Sequence, residues 1–80
     1  MAVETVSTVA NYITELDPDP TTGDPIYFGR ALIGADPSRP VWQIRKFIYN
    51  GSGHLTSIRF AQGSLEFTNV WNDRATLSYT

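Results

Sequence analysis

Between residues 41 and 80, apolar and polar residues alternate in short runs separated by turn-forming clusters, the pattern of an antiparallel sheet. Over residues 41–49 the alternation sets Trp42, Ile44 and Ile48 on one face and Val41, Gln43, Arg45, Phe47 and Tyr49 on the other. Asn50-Gly51-Ser52-Gly53 follows, and Asn-Gly between two such runs marks a hairpin because both residues tolerate positive φ. Residues 54–61 give a second strand with Ile58 and Phe60 on one face and Arg59 on the other, and Gln62-Gly63-Ser64 turns the chain again. Residues 65–71 alternate through Leu65, Phe67, Asn69 and Trp71. A turn at Asn72-Asp73-Arg74 leads to a last short strand with Ala75, Leu77 and Tyr79 inward. Both faces of this meander carry aromatics, so a second surface needs a cover of its own.

The first forty residues read differently. Val3, Val6, Val9, Ile13 and Leu16 recur at spacings of three and four, which suits one face of a helix. Val, Thr and Ile nevertheless lose χ1 freedom in helices and favour extended backbone. The first sixteen residues are therefore an arm, extended or with a short helix over 8–16, whose shape is set by what it docks on. All five prolines lie in residues 17–40, where Asp17-Pro18-Asp19-Pro20 is stiff and non-helical and Thr22-Gly23-Asp24-Pro25 forms a turn. One strand candidate, residues 26–33, lies inside this zone. The expected organisation is an N-terminal arm and Pro-rich linker over 1–25 and a single small β domain over 26–80. The fold class is mainly β, a small antiparallel meander of three to five strands.

Length changes the picture next. Eighty residues allow one domain, which buries roughly 60–65% of its unfolded surface and is marginal without support. The chain has no cysteine and a single histidine, His54, so disulfides, thiolate metal sites and multi-histidine sites are excluded. Contact with a partner remains as the source of added stability. Residues 1–29 hold Glu4, Glu15, Asp17, Asp19 and Asp24 and no Lys or Arg, a charge of −5; residues 30–80 carry +3. The two parts attract each other, within one chain or between neighbouring copies. Three net positive charges scattered over that length form no basic stripe, so nucleic acid is not an expected partner. No apolar run reaches the length of a signal-peptide core or a membrane span, and no membrane association is expected.

Candidate chemistry is sparse. His54 follows a glycine-flanked turn and no Gly-x-Ser-x-Gly elbow accompanies it, so a Ser–His–Asp site gives way to a surface histidine. An EF-hand loop starting at Asp17 would need glycine and glutamate where Thr22 and Phe28 stand. Glu66 and Asp73 form no converging carboxylate pair, and Gly29 and Gly34 match no phosphate-loop fingerprint. No catalytic residue, metal or cofactor is expected. Trp42 and Trp71 read first as core residues. The alternative for Trp71, as for Tyr49 and Arg74, is protein contact, since Trp, Tyr and Arg dominate interface energetics. On the arm, Val6, Val9, Tyr12, Ile13 and Leu16 are the candidate docking residues.

Four segments together resemble small tailed-bacteriophage proteins of about this length. They are Tyr27-Phe28-Gly29-Arg30-Ala31, Val41-Trp42-Gln43-Ile44-Arg45-Lys46, Phe60-Ala61-Gln62-Gly63, and the closing Asn69-Val70-Trp71-Asn72-Asp73-Arg74-Ala75-Thr76-Leu77-Ser78-Tyr79. That group carries a closing Val-Trp-Asn/Asp-Asp-Arg-Ala-x-Leu-x-Tyr signature, and its members are generally called virion structural proteins. Thr8-Val9-Ala10-Asn11-Tyr12-Ile13-Thr14-Glu15-Leu16, with Pro20 and Gly23-Asp24, resembles a leader of phage tail-fibre chains, although the basic stretch that follows it there is absent here. The resemblance implies a virion component of the tail or collar, an adaptor or fibre-attachment piece that assembles with other virion proteins and as a homo-oligomer. A capsid decoration protein is the alternative within that class, and an early regulator that binds a host protein is the alternative from another class.

Overall fold

The computed structural model describes residues 11–80, and the chain is mainly β. Four strands, β1 (Tyr12–Pro18), β2 (Pro25–Leu32), β3 (Pro40–Tyr49) and β4 (Leu55–Phe60), form an antiparallel meander in the order β1-β2-β3-β4. A two-residue strand, β5 (Asn69–Val70), pairs with the start of β3, and a 3-10 helix spans Trp71–Thr76.

The sheet begins earlier than composition implies. Residues 12–18 pair with β2 from Tyr12↔Leu32 to Pro18↔Pro25, so the boundary expected at 25/26 falls inside a hairpin. Of the two shapes expected for the arm, residues 12–16 take the extended one and not the helix, as a strand paired with β2 of the same chain; residues 8–10, and Val6 before them, lie outside the described residues. The prolines misled because they were read as linker. Pro18 closes β1 and Pro25 opens β2, and strand ends are where a missing N–H is tolerated. Asp19 builds the turn between them: its Oδ1 accepts from the Thr21 and Thr22 amides at 2.7 and 3.1 Å, while Gly23 takes a φ of +79°.

The hairpin expected at Asn50 exists, with a different mechanism. The Asn50 Oδ1 accepts from the Ser52 and His54 amides at 2.9 and 3.0 Å, and the residue with positive φ is Gly53, at +84°. His54 lies exposed in that loop.

The C-terminal third departs most. No strand spans 65–71 or 75–79. Gln62 and Gly63 take positive φ after β4, β5 is two residues long, and Trp71 opens the 3-10 helix where a strand and turn were expected. The alternation misled because Phe67 and Trp71 do not share a face. Phe67 stacks on Tyr12 on one side of the sheet, with ring centroids 5.5 Å apart, and Trp71 lies on the other. The final strand reduces to a single bridge, Ala61↔Tyr79.

One face of the sheet holds the core: Ala31, Trp42, Ile44, Ala61 and Trp71, with Ile13, Tyr27, Ala35, Leu77 and Tyr79 packed around them. Two indoles fit there because the sheet beneath is lined by small residues. A Cβ on Gly29 would stand 2.5 Å from the Trp71 ring and 3.2 Å from Trp42. The indoles tilt against each other with centroids 5.8 Å apart, and the Trp42 Nε1–H donates to the Asp36 carbonyl at 3.1 Å. The Tyr79 hydroxyl donates to the Arg74 carbonyl at 2.7 Å, and burial raises its pKa to about 12. Arg74 lies over the Trp71 ring at 4.5 Å and donates through Nε to Asp17 Oδ2 at 2.9 Å. Among the described residues, the expected attraction between acidic and basic parts is thus met once. Both partners are roughly a third exposed, so the pair contributes at most about 1 kcal/mol.

Candidate interaction surface

Among the described residues the opposite face has no comparable cover. Cross-strand partners point to the same side of a sheet, so register assigns its members. Leu16↔Phe28, Phe28↔Arg45 and Arg45↔Phe60 run as one row across all four long strands. Thr14, Arg30 and Gln43 form the row on one side of it, and Phe47 and Ile58 the pair on the other. Near the Tyr12 end, the segment after β4 covers part of this face: Phe67 stacks on Tyr12, and the Gln43 Nε2–H donates to the Leu65 carbonyl at 2.6 Å. Among the described residues nothing covers the central row. Leu16 is 55% and Ile58 46% exposed, and Phe28, Phe47 and Phe60 are half-buried.

Arg45 gives this face its character. Its guanidinium carbon lies 5.2 Å from the Phe28 ring centroid and 5.1 Å from that of Phe60, a cation between two aromatic rings. Its NH2 group donates to Gln43 Oε1 at 3.2 Å, and its Nε is buried without a hydrogen-bond partner. Burial first, and the neighbouring Arg30 charge second, hold this guanidinium below its usual pKa. Arg30 lies over the Tyr12 ring at 4.8 Å. Among the described residues neither arginine makes a salt bridge; the one ion pair there is Asp17–Arg74. The surface is therefore apolar and cationic together. Where β2 ends, Tyr12, Leu32, Ile33, Val41 and Phe67 line an apolar groove of about 550 Å³ that continues it.

The expected interface residues divide. Tyr12 and Leu16 lie on the open face. Ile13 faces the core, and Trp71, only 7% exposed, is a core residue withdrawn from contact with a partner. Arg74 is engaged by Asp17 and Trp71, and the Tyr49 hydroxyl donates to the Pro25 carbonyl at 2.7 Å. Sequence reading missed Phe28, Arg30, Arg45, Phe47, Ile58 and Phe60 as a set. Their signal was present in the aromatic residues on the second face, but only strand register joins them into one surface.

Comparison with protein-family models, with curated proteins and with solved structures returns no match.

Proposed function

We propose that this chain is a non-enzymatic structural protein of a tailed-bacteriophage particle, placed at the tail or collar as an adaptor or fibre-attachment piece. It assembles with other virion proteins and with copies of itself, through its N-terminal residues and through the open sheet face. The observation that carries the reading is the row Leu16–Phe28–Arg45–Phe60, an apolar and cationic surface that none of the described residues covers, on a domain with a small core. The resemblance of residues 27–79 to phage virion proteins, and of the leader to tail-fibre chains, supplies the setting. Enrichment in aromatics and arginine is the composition of a protein-contact surface.

Quantitative mass spectrometry of purified particles tests this. The chain is expected among the particle proteins, at a copy number close to that of tail proteins and far below that of the major capsid protein. A copy number near the capsid protein's would make it a decoration protein. Abundance in infected cells with absence from particles would overturn the reading in favour of a host-directed regulator.

A further inference from the structure

We infer that the open sheet face is the receptor for the leader of a second copy of this chain, with the Glu4 carboxylate against Arg45 and Val6, which shares Glu4's face in an extended strand, on its aromatic row. This rests on the assembly role proposed above and names the partner for that surface.

Charge complementarity comes first. Arg30 and Arg45 sit side by side on the face without a salt bridge among the described residues, and the Arg45 Nε is a buried donor with no acceptor. A buried, unsatisfied charged donor is costly, and a carboxylate is the acceptor that pairs most strongly with a guanidinium. Two copies placed face to face would oppose arginine to arginine. Residues 1–10 offer the complement, since Glu4 is their single charged side chain and Val6 shares its face in an extended strand.

Where the described chain begins decides which copy supplies the leader. The Ile33 amide donates to the Asn11 carbonyl at 2.7 Å, so the ladder continues past Leu32. The chain therefore leaves β1 at the end opposite the row of Leu16 and Arg45. Returning to its own Arg45 would require a sharp reversal just before Asn11, whose carbonyl is already held in the ladder by Ile33, and residues 1–10 contain no Gly, Pro, Asn or Asp to make one. Val and Thr, which dominate there, favour extended backbone. Seven residues separate Glu4 from Asn11, a reach of up to about 24 Å. Four strands cover only about 15 Å across a sheet, so a leader of this length can lie across the whole face of a neighbour.

Charge-swapped full-length chains test this by sedimentation. The wild-type chain is expected to self-associate, and Glu4→Arg or Arg45→Glu alone to weaken association by at least about tenfold. An equimolar mixture of the two variants is expected to recover it as a 1:1 complex, because each leader then meets a face of opposite charge. Replacing Arg45 by Glu relieves its repulsion with Arg30 but gives up its contacts with Phe28, Phe60 and Gln43, so circular dichroism checks that the fold is retained; Arg45→Gln, which adds no charge, serves as the second variant and is expected to associate weakly. Three results overturn the inference: a wild-type chain that stays monomeric at its highest soluble concentration, variants that associate like wild type, or a mixture that does not recover. These outcomes are independent of whether particles contain the chain, so failure here and failure of the virion assignment are separable.

Discussion

Trp71→Ala is expected to remove about 3–5 kcal/mol of folding stability, the cost of deleting a large buried aromatic. The ring fills the space between the Gly29 backbone, Trp42 and the Arg74 guanidinium, and none of these can move in to close the gap. Gly29 has no side chain to extend, Trp42 is held through its Nε1–H, and Arg74 is tied to Asp17. For a domain of this size the loss lowers the melting temperature by roughly 15–30 °C and removes much of a total stability of about 4–12 kcal/mol. Thermal unfolding followed by circular dichroism measures it. A drop of less than about 5 °C would mean that Trp71 is a contact residue after all and not part of the core.

Gly29→Ala is expected to destabilise by about 1–3 kcal/mol, against the ordinary trend. Within a strand, glycine normally weakens the structure, so alanine should stabilise by roughly 0.5–1 kcal/mol. Here the added methyl would stand 2.5 Å from the Trp71 ring, inside any tolerable contact, and the ring is wedged against Trp42 behind it. The sign of the change is the test. In a Trp71→Ala background the obstruction is gone, so the same substitution is expected to become neutral or stabilising, a coupling that a double-mutant cycle in denaturant resolves. A stabilising effect in the wild-type background would show that the indole does not rest on Gly29.

These substitutions probe the part of the molecule most legible in the sequence. Alternation through residues 41–49 and 54–61 located β3 and β4, and two tryptophans in so short a chain had few places to go but the core. Turn chemistry was half legible: the Asn50 hairpin was visible, while the role of Gly53 depended on where the Asn50 side chain reached. Edge strand β1 was obscured because Glu15, Asp17 and Pro18 are poor evidence of a strand until the pairing with β2 is known, and because the spacing of Ile13 and Leu16 suits a helix as well. Residues 65–71 defeated periodicity for a different reason. Alternation assumes a chain that stays straight, and this one passes from the Phe67 side of the sheet to the Trp71 side within four residues.

The surface was legible only as an excess. Aromatics on both faces implied an uncovered side, but the residues chosen for contact followed composition and not register. Ile13 lies between Tyr12 and Thr14, so its neighbours face the open side while it faces the core. Trp71 and Arg74 carry the residue types that anchor interfaces, and the fold spends both on the core. Arg45 looked like an ordinary charged position on β3. Its significance comes from Phe28 and Phe60, which lie far away in sequence and directly opposite in the sheet.

A density map of the intact particle is the most direct measurement of whether this domain works by being covered. The predicted map places it at the tail or collar, with another polypeptide lying across Leu16, Phe28, Arg45, Phe47 and Phe60. A map in which the domain is bound through its other side, with that row of side chains open to solvent, would contradict the account.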